Sequence, residues 1–301
     1  MKKRNLLLVV LWSYGLFILI HMYQYVGALL AAWISGQGFD AIMSGNYESS
    51  QTDFIISLTA LIIGVPLIFL VIKFLWRRNF EWMCLQFNYK KLILGLTLGL
   101  LLPLVILQVL NLMGCANISW SSIGLQSEEL IIILGYGCVA IFTGIVEEVV
   151  FRGMVVREFA QKYGWVIAAV IGGVLFGLPH LITMLQDISL INMLQILLAS
   201  IIVSFLFVAM YIRTHSLWFP IGFHIAWNFC LKGILGVTMS GSDAKAGFLN
   251  IELTGSPLLT GGSFGIEASF VSILVYFILA FMFFKLPLFG EVDLLSNKYK
   301  Y

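Results

Sequence analysis

Residues 144–153 read GIVEEVVFRG and place Glu147, Glu148 and Arg152 inside an otherwise apolar run. Ionisable groups in such a segment are costly unless paired or hydrated, so they need partners that the stretch itself supplies only in part. The rest of the chain sets the medium in which that cost is paid. It is 60% hydrophobic and 11% charged over 301 residues, with a mean hydropathy of +1.00, whereas soluble domains are roughly half apolar and about a quarter charged. Its apolar runs are too long and too many for a barrel of short alternating strands. The composition predicts an all-α integral membrane protein, one polytopic domain over residues 1–301.

Hydropathy predicts eight spans near 6–34, 54–76, 92–113, 129–160, 164–182, 188–212, 216–239 and 267–287. The opening MKKR and its apolar run resemble the first half of a signal peptide. The run continues to about Ile34 without a small-residue cleavage pattern, so it reads as an uncleaved first span. A glycine-rich approach to the last span, residues 255–265, is placed to dip back into the protein. Gly95 with Gly99 and Gly173 with Gly177 have the small-xxx-small spacing that lets helices approach closely.

Charge asymmetry orients these spans. Lys2, Lys3, Arg4, Arg77, Arg78, Lys90, Lys91, Arg157, Lys162, Arg213, Lys285, Lys298 and Lys300 fall at ends that an even number of spans puts on one side. The opposite loops hold Asp40, Glu48, Asp53, Glu128, Asp187 and Asp243, with Lys232 and Lys245 as the basic residues there. The positive-inside rule predicts a multi-pass cell-membrane protein with both termini cytoplasmic. The net charge of +2 is then topological and gives no reason to invoke nucleic acid. Cys84, Cys115, Cys138 and Cys230 have neither metal-type nor paired spacing and read as small hydrophobes.

Within the spans the polar residues fall into three groups. Glu148 and Arg152 are i and i+4 and can neutralise each other, whereas Glu147 is rotated by about 100° from Glu148. This leaves Glu148–Arg152 as an internal pair and Glu147 to face a cavity, where a carboxylate suits general acid–base work. FGLPH carries Phe176 and His180, with Pro179 expected to kink the helix and free a carbonyl one turn earlier. HIAWN carries His224 and Asn228, again i and i+4 on one face. Taken singly, each group has a plain structural reading as a helix-end ion pair or as polar glue between helices.

Depth along ideal helices lets them meet. Glu147 lies roughly 22 Å from Lys162, His180 roughly 24 Å from Gly164, His224 roughly 12 Å and Asn228 roughly 18 Å from Ser216. All four can converge below a cytoplasm-facing opening. Glu147, with His180, could polarise a water for attack on a carbonyl, while His224 and Asn228 donate to the developing oxyanion. Alternatively Glu147, His180 and His224 could hold a zinc ion with one open position for water. No HExxH occurs, so a metal site would be assembled across helices; serine or cysteine nucleophile chemistry is less supported, and no Cys sits at helical spacing from His180 or His224.

The motifs EExxxR (Glu147, Glu148, Arg152), FxxxH (Phe176, His180) and HxxxN (His224, Asn228) resemble, in order and spacing, the signatures of the CPBP (Abi) intramembrane proteases. That family includes the type II CAAX prenyl endopeptidases. The resemblance covers about residues 129–240, a catalytic core. It implies an eight-helix fold with an active site in the bilayer, opening toward the cytosol. It also implies Glu147 and His180 as the water-activating pair, His224 and Asn228 as the oxyanion pair, and Glu148, Arg152 and Phe176 in support. It implies a membrane-associated protein or peptide substrate, prenylated in eukaryotic members and linked in bacteria to bacteriocin immunity or peptide maturation. Family members are named metalloproteases, though a metal-free glutamate mechanism has also been argued, and the residues here favour the latter. Two other readings are a non-catalytic membrane immunity or partner protein and a proton- or cation-coupled transporter. The single polar cluster and the lack of an inverted repeat count against the transporter.

Overall fold

The computed structural model describes residues 5–44, 49–120, 127–184 and 189–285. Lys2, Lys3, Arg4, Glu48, Asp187, Lys298 and Lys300, which enter the charge reading, lie outside the described residues.

The long helical elements are α1 (Leu6–Ser35, interrupted at Met22), α2 (Ser50–Trp76), α3 (Tyr89–Leu112), α4 (Ser127–Glu147), α5 (Arg157–Thr183), α6 (Leu190–Thr214), α7 (Trp218–Phe229) and α8 (Phe270–Lys285). Polar side chains start several of them, each accepting a bond from a first-turn amide: Asn5 from Leu7, Ser49 from Thr52, Asn88 from Lys91 and Ser189 from Asn192. Between α4 and α5 the chain runs on as a π-helix over Glu148–Val156, and α7 continues as another over Cys230–Ile234.

Among the described residues, five helical stretches are long and apolar enough to cross a membrane, one of them Ser127–Ile182. That stretch counts 56 residues, about 84 Å as a single rod, against about 30 Å of hydrocarbon. It is broken at Gly164, whose φ of 80° and ψ of 165° are not helical. Beyond the break α5 folds back, with Ala168 and Ala169 packed on Val155 and Val156. α8 is apolar but shorter, at 16 residues.

The two ends of the bundle are built differently. At the end carrying most of the basic residues, the segment after α2 is tucked under the helices: Trp82, Met83 and Leu85 are buried. The Leu217 amide donates to the Cys84 carbonyl at 3.0 Å, the Trp218 indole to Leu85 O at 2.9 Å, and Tyr211 Oη to Met83 O at 3.2 Å. Arg78 pairs with Glu158 at 2.7 Å, and Arg157 donates to Tyr211 Oη at 2.7 Å. At the other end two strands, β1 (Ala116–Trp120) and β2 (Leu249–Leu253), pair antiparallel from Ala116↔Leu253 to Trp120↔Leu249. An all-α reading does not contain this ladder. ANISW and LNIEL are short, lie outside the hydropathy peaks and find each other only through the helices between them. The glycine-rich approach does fold inward: Phe264, Ile266 and Ala268 are buried, and Gln195 Nε2 donates to Ala268 O at 2.6 Å.

Candidate active site

Backbone proximity places the catalytic candidates before any polar contact does. Gly95 and Gly99 of α3 face the backbone of Phe219 and Phe223, Gly222 of α7 faces the backbone of Leu92, and Gly144 of α4 faces Ile225. A Cβ at Gly95, Gly99 or Gly222 would strike backbone, which cannot rotate away as a side chain can. α7 is therefore wedged against α3 and α4, and the residue beside Phe223, His224, reaches the EE pair.

His224 Nδ1 lies 3.0 Å from Glu148 Oε1, and its Nε2 lies 3.7 Å from Glu147 Oε2. The same Glu148 oxygen accepts from Arg152 Nη1 at 3.0 Å, and neither side chain has exposed surface. The Glu148–Arg152 contact is the one that i,i+4 spacing predicts, although the backbone there is π-helical rather than α-helical. Short π segments recur where a helix must re-aim functional side chains. The π turn is accommodated at Gly153, against which Met83 and Leu217 close. The Arg152 guanidinium is held between the rings of Phe176, 4.7 Å away, and Phe207, 4.6 Å away. Phe176 thus links the first two motifs.

His180 stands edge-on to Phe176, with centroids 5.2 Å apart, and to Phe264 at 5.7 Å. Pro179 removes the bond its amide would make to Leu175 O, and that carbonyl accepts instead from Tyr14 Oη of α1. The kink is expected from the sequence, and a tyrosine from the first helix takes up the freed acceptor. Asn228 Nδ2 donates to Thr143 Oγ1 at 3.1 Å, leaving its second N–H for another acceptor.

Glu147, His180, His224, Asn228 and Phe176 all line one cavity of 610 Å³. Glu148 and Arg152 stay behind its wall. The same cavity is bordered by residues that sequence reasoning missed: Thr143, Phe207, Lys232 and Glu267. Glu267 Oε1 accepts from Ser240 N at 2.8 Å and Ser240 Oγ at 2.7 Å. Its only signal is position, a lone acid at the head of the last apolar run. The predicted span starts at 267, but the helix starts at Phe270, so Glu267 lies in the turn that folds inward.

The cavity does not open where the depth reading put it. From the four polar residues it runs along α4 through Thr143, Val139 and Tyr136 to Ile132, and reaches Asp53, Asp243 and Lys245. This is the end opposite the tucked-in segment after α2. Leu6 and Phe284, near the two ends of the described chain, pack on the Val155–Val156 cluster instead, so the described chain ends and the cavity mouth lie at opposite ends of the bundle.

Zinc fits this site poorly. Among the described residues, no three His, Cys, Asp or Glu side chains are arranged to hold a metal ion. His224 turns one ring nitrogen to Glu148, and the Arg152 cation sits on that same carboxylate.

No curated protein and no solved structure matches the chain. A family model described as Type II CAAX prenyl endopeptidase Rce1-like matches residues 129–230, the segment that holds all three motifs. The match supports CAAX-type protease activity in general and a multi-pass membrane protein. By motif order and by this match, residues 129–230 are similar to the Rce1-like type II CAAX prenyl endopeptidases.

Proposed function

We propose that this chain is an intramembrane endopeptidase that hydrolyses a peptide bond of a membrane-associated substrate through water activated by Glu147 and His180. The reading takes the eight long helical elements as eight crossings with both termini cytoplasmic. The observation that carries it is the meeting of Glu147, His180, His224 and Asn228, from three helices far apart in sequence, around one cavity.

In this reaction Glu147 takes a proton from water while the water oxygen bonds to the scissile carbonyl carbon. The carbonyl electrons move onto oxygen, and the oxyanion accepts from the spare Asn228 N–H and from His224. Collapse re-forms the carbonyl, breaks the C–N bond and returns the Glu147 proton to the leaving nitrogen. Glu148 sets the part His224 plays. With Nδ1–H directed at Glu148, neutral His224 presents a lone pair at Nε2, and only as imidazolium does it donate there. The oxyanion therefore meets His224 as an imidazolium, while His180 shares with Glu147 the work of orienting the attacking water. Arg152 pairs with Glu148 and holds it in place. No step needs a metal. A CAAX-type prenylated protein or a bacteriocin-related peptide is the substrate kind that the resemblance brings.

Membrane peptidomics of cells bearing wild type or Glu147→Gln tests the reading. Fragments present with wild type should vanish with Glu147→Gln and with His224→Ala, while expression and membrane insertion stay unchanged. An identical peptide set in all three would refute proteolysis and leave a binding or transport role.

A further inference from the structure

We propose that the substrate reaches this cavity from the extracytoplasmic face of the membrane. The substrate class, a peptide segment presented on that face, rests on the protease reading; the side of access does not.

Three observations converge. The lining of the cavity is one-sided. It includes Asp53 near the start of α2, Ile132 and Tyr136 in the first half of α4, and Ser242 and Lys245 in the loop after α7. Among the described residues, none from 77–91, 148–163 or 208–218 lines it. The rim itself meets solvent, since the Lys245 side chain is 59% exposed while paired with Asp53 at 2.7 Å.

The opposite end is filled. Met83 and Leu217 have no exposed surface and close on Gly153, the residue after Arg152. Trp82 is buried beside them, with the Arg157 guanidinium 5.0 Å from its ring. A path to Glu147 from that end would have to displace this packed segment together with its bonds to Leu217, Trp218 and Tyr211.

Charge then names the sides. Arg77, Arg78, Lys90, Lys91, Arg157 and Lys162 all belong to the filled end, whereas the open end carries Lys232 and Lys245 beside Asp40, Asp53, Glu128 and Asp243. The positive-inside rule puts the filled end in the cytoplasm, and the mouth outside.

Site-directed labelling of intact cells decides it. In a background with Cys84, Cys115, Cys138 and Cys230 replaced by alanine, Ser57→Cys reports the cavity wall and Gln86→Cys the filled end. A membrane-impermeant maleimide should label Ser57→Cys equally before and after permeabilisation, and Gln86→Cys only after it. The unaltered protein gives the same comparison without any substitution. An impermeant amine reagent on intact cells should modify Lys245 and spare Lys90 until permeabilisation. Labelling of Ser57→Cys only after permeabilisation, or modification of Lys90 but not Lys245 on intact cells, would overturn the proposal. Neither readout needs activity. Outside labelling combined with an unchanged peptide set in Glu147→Gln would thus sink proteolysis and leave the access side standing.

Discussion

Arg152 offers a quantitative test of how the site is held. Its guanidinium bonds the Glu148 carboxylate at 3.0 Å and lies between two aromatic rings, with no exposed surface on either partner. Substituting methionine keeps much of the volume but leaves Glu148 buried with its charge facing only His224. Breaking one side of a buried ion pair costs about 3–5 kcal/mol. Loss of the ring–cation contacts adds about 2 kcal/mol where the groups are desolvated. Methionine–aromatic contacts return about 0.3–1.5 kcal/mol. The balance for Arg152→Met is a loss of about 4–6 kcal/mol, a large share of the roughly 5–15 kcal/mol that holds a typical domain together. Glu148→Gln removes the charge but keeps an oxygen for His224 Nδ1–H. The double variant Glu148→Gln/Arg152→Met should therefore be more stable than Arg152→Met alone, with a coupling energy of about 2–3 kcal/mol. Arg152→Lys, which keeps the charge but not the planar fork, should fall between, losing about 1–2 kcal/mol. Denaturant titration of the detergent-purified protein, followed by tryptophan fluorescence, measures all four. Additive losses in the double variant would show that Glu148 and Arg152 do not form the unit described.

Tyr14→Phe should cost about 1–3 kcal/mol by stranding the Leu175 carbonyl. Adding Pro179→Ala, which restores an amide donor, should recover most of that loss in the same titration; no recovery would show that Tyr14 acts otherwise. Gly222→Val drives a side chain into the backbone of Leu92 and should cost at least about 1–3 kcal/mol. Gly15→Ala, which meets open space, should leave the midpoint unchanged, and equal losses at both sites would refute the close α3–α7 crossing. Cleavage by the purified protein should survive chelation, and activity lost to a chelator and regained with added metal would overturn the metal-free reading.

The parts of the site that could be read from sequence are those set by one helix. Glu148 and Arg152 are four residues apart, so their contact follows from helical geometry whatever surrounds them, and it persists though the local helix is π. The separate placements of Glu147, on the cavity, and Glu148, behind its wall, follow from the same rotation. What reading could not supply depends on how helices meet. The bond from His224 to Glu148 requires α7 to sit at one height against α4, and that height is set by Gly95, Gly99, Gly144 and Gly222 touching backbone. The small-xxx-small spacing marks closeness without naming the partner. Phe207 belongs to no motif, and its place over Arg152 arises only when α6 is packed. Glu267 and the β1–β2 ladder fall in the connections between spans, where hydropathy carries no pattern.

The opening of the cavity shows where a one-dimensional reading turns from incomplete to misleading. Glu147 is roughly 15 Å along the chain from Arg157 and roughly 30 Å from Ser127, on the rise of an α-helix. By that measure the Arg157 end is the near one. Nearness along a helix becomes access only if nothing occupies the intervening space. Here the buried Trp82, Met83 and Leu85 occupy it, and they come from a connection whose composition does not mark it as a plug. On the far side, α4 has Gly135, Val139 and Thr143 on the cavity face, residues small enough to leave room down to Glu147. The longer route is the open one, because depth is set by helix length whereas access is set by what fills each end.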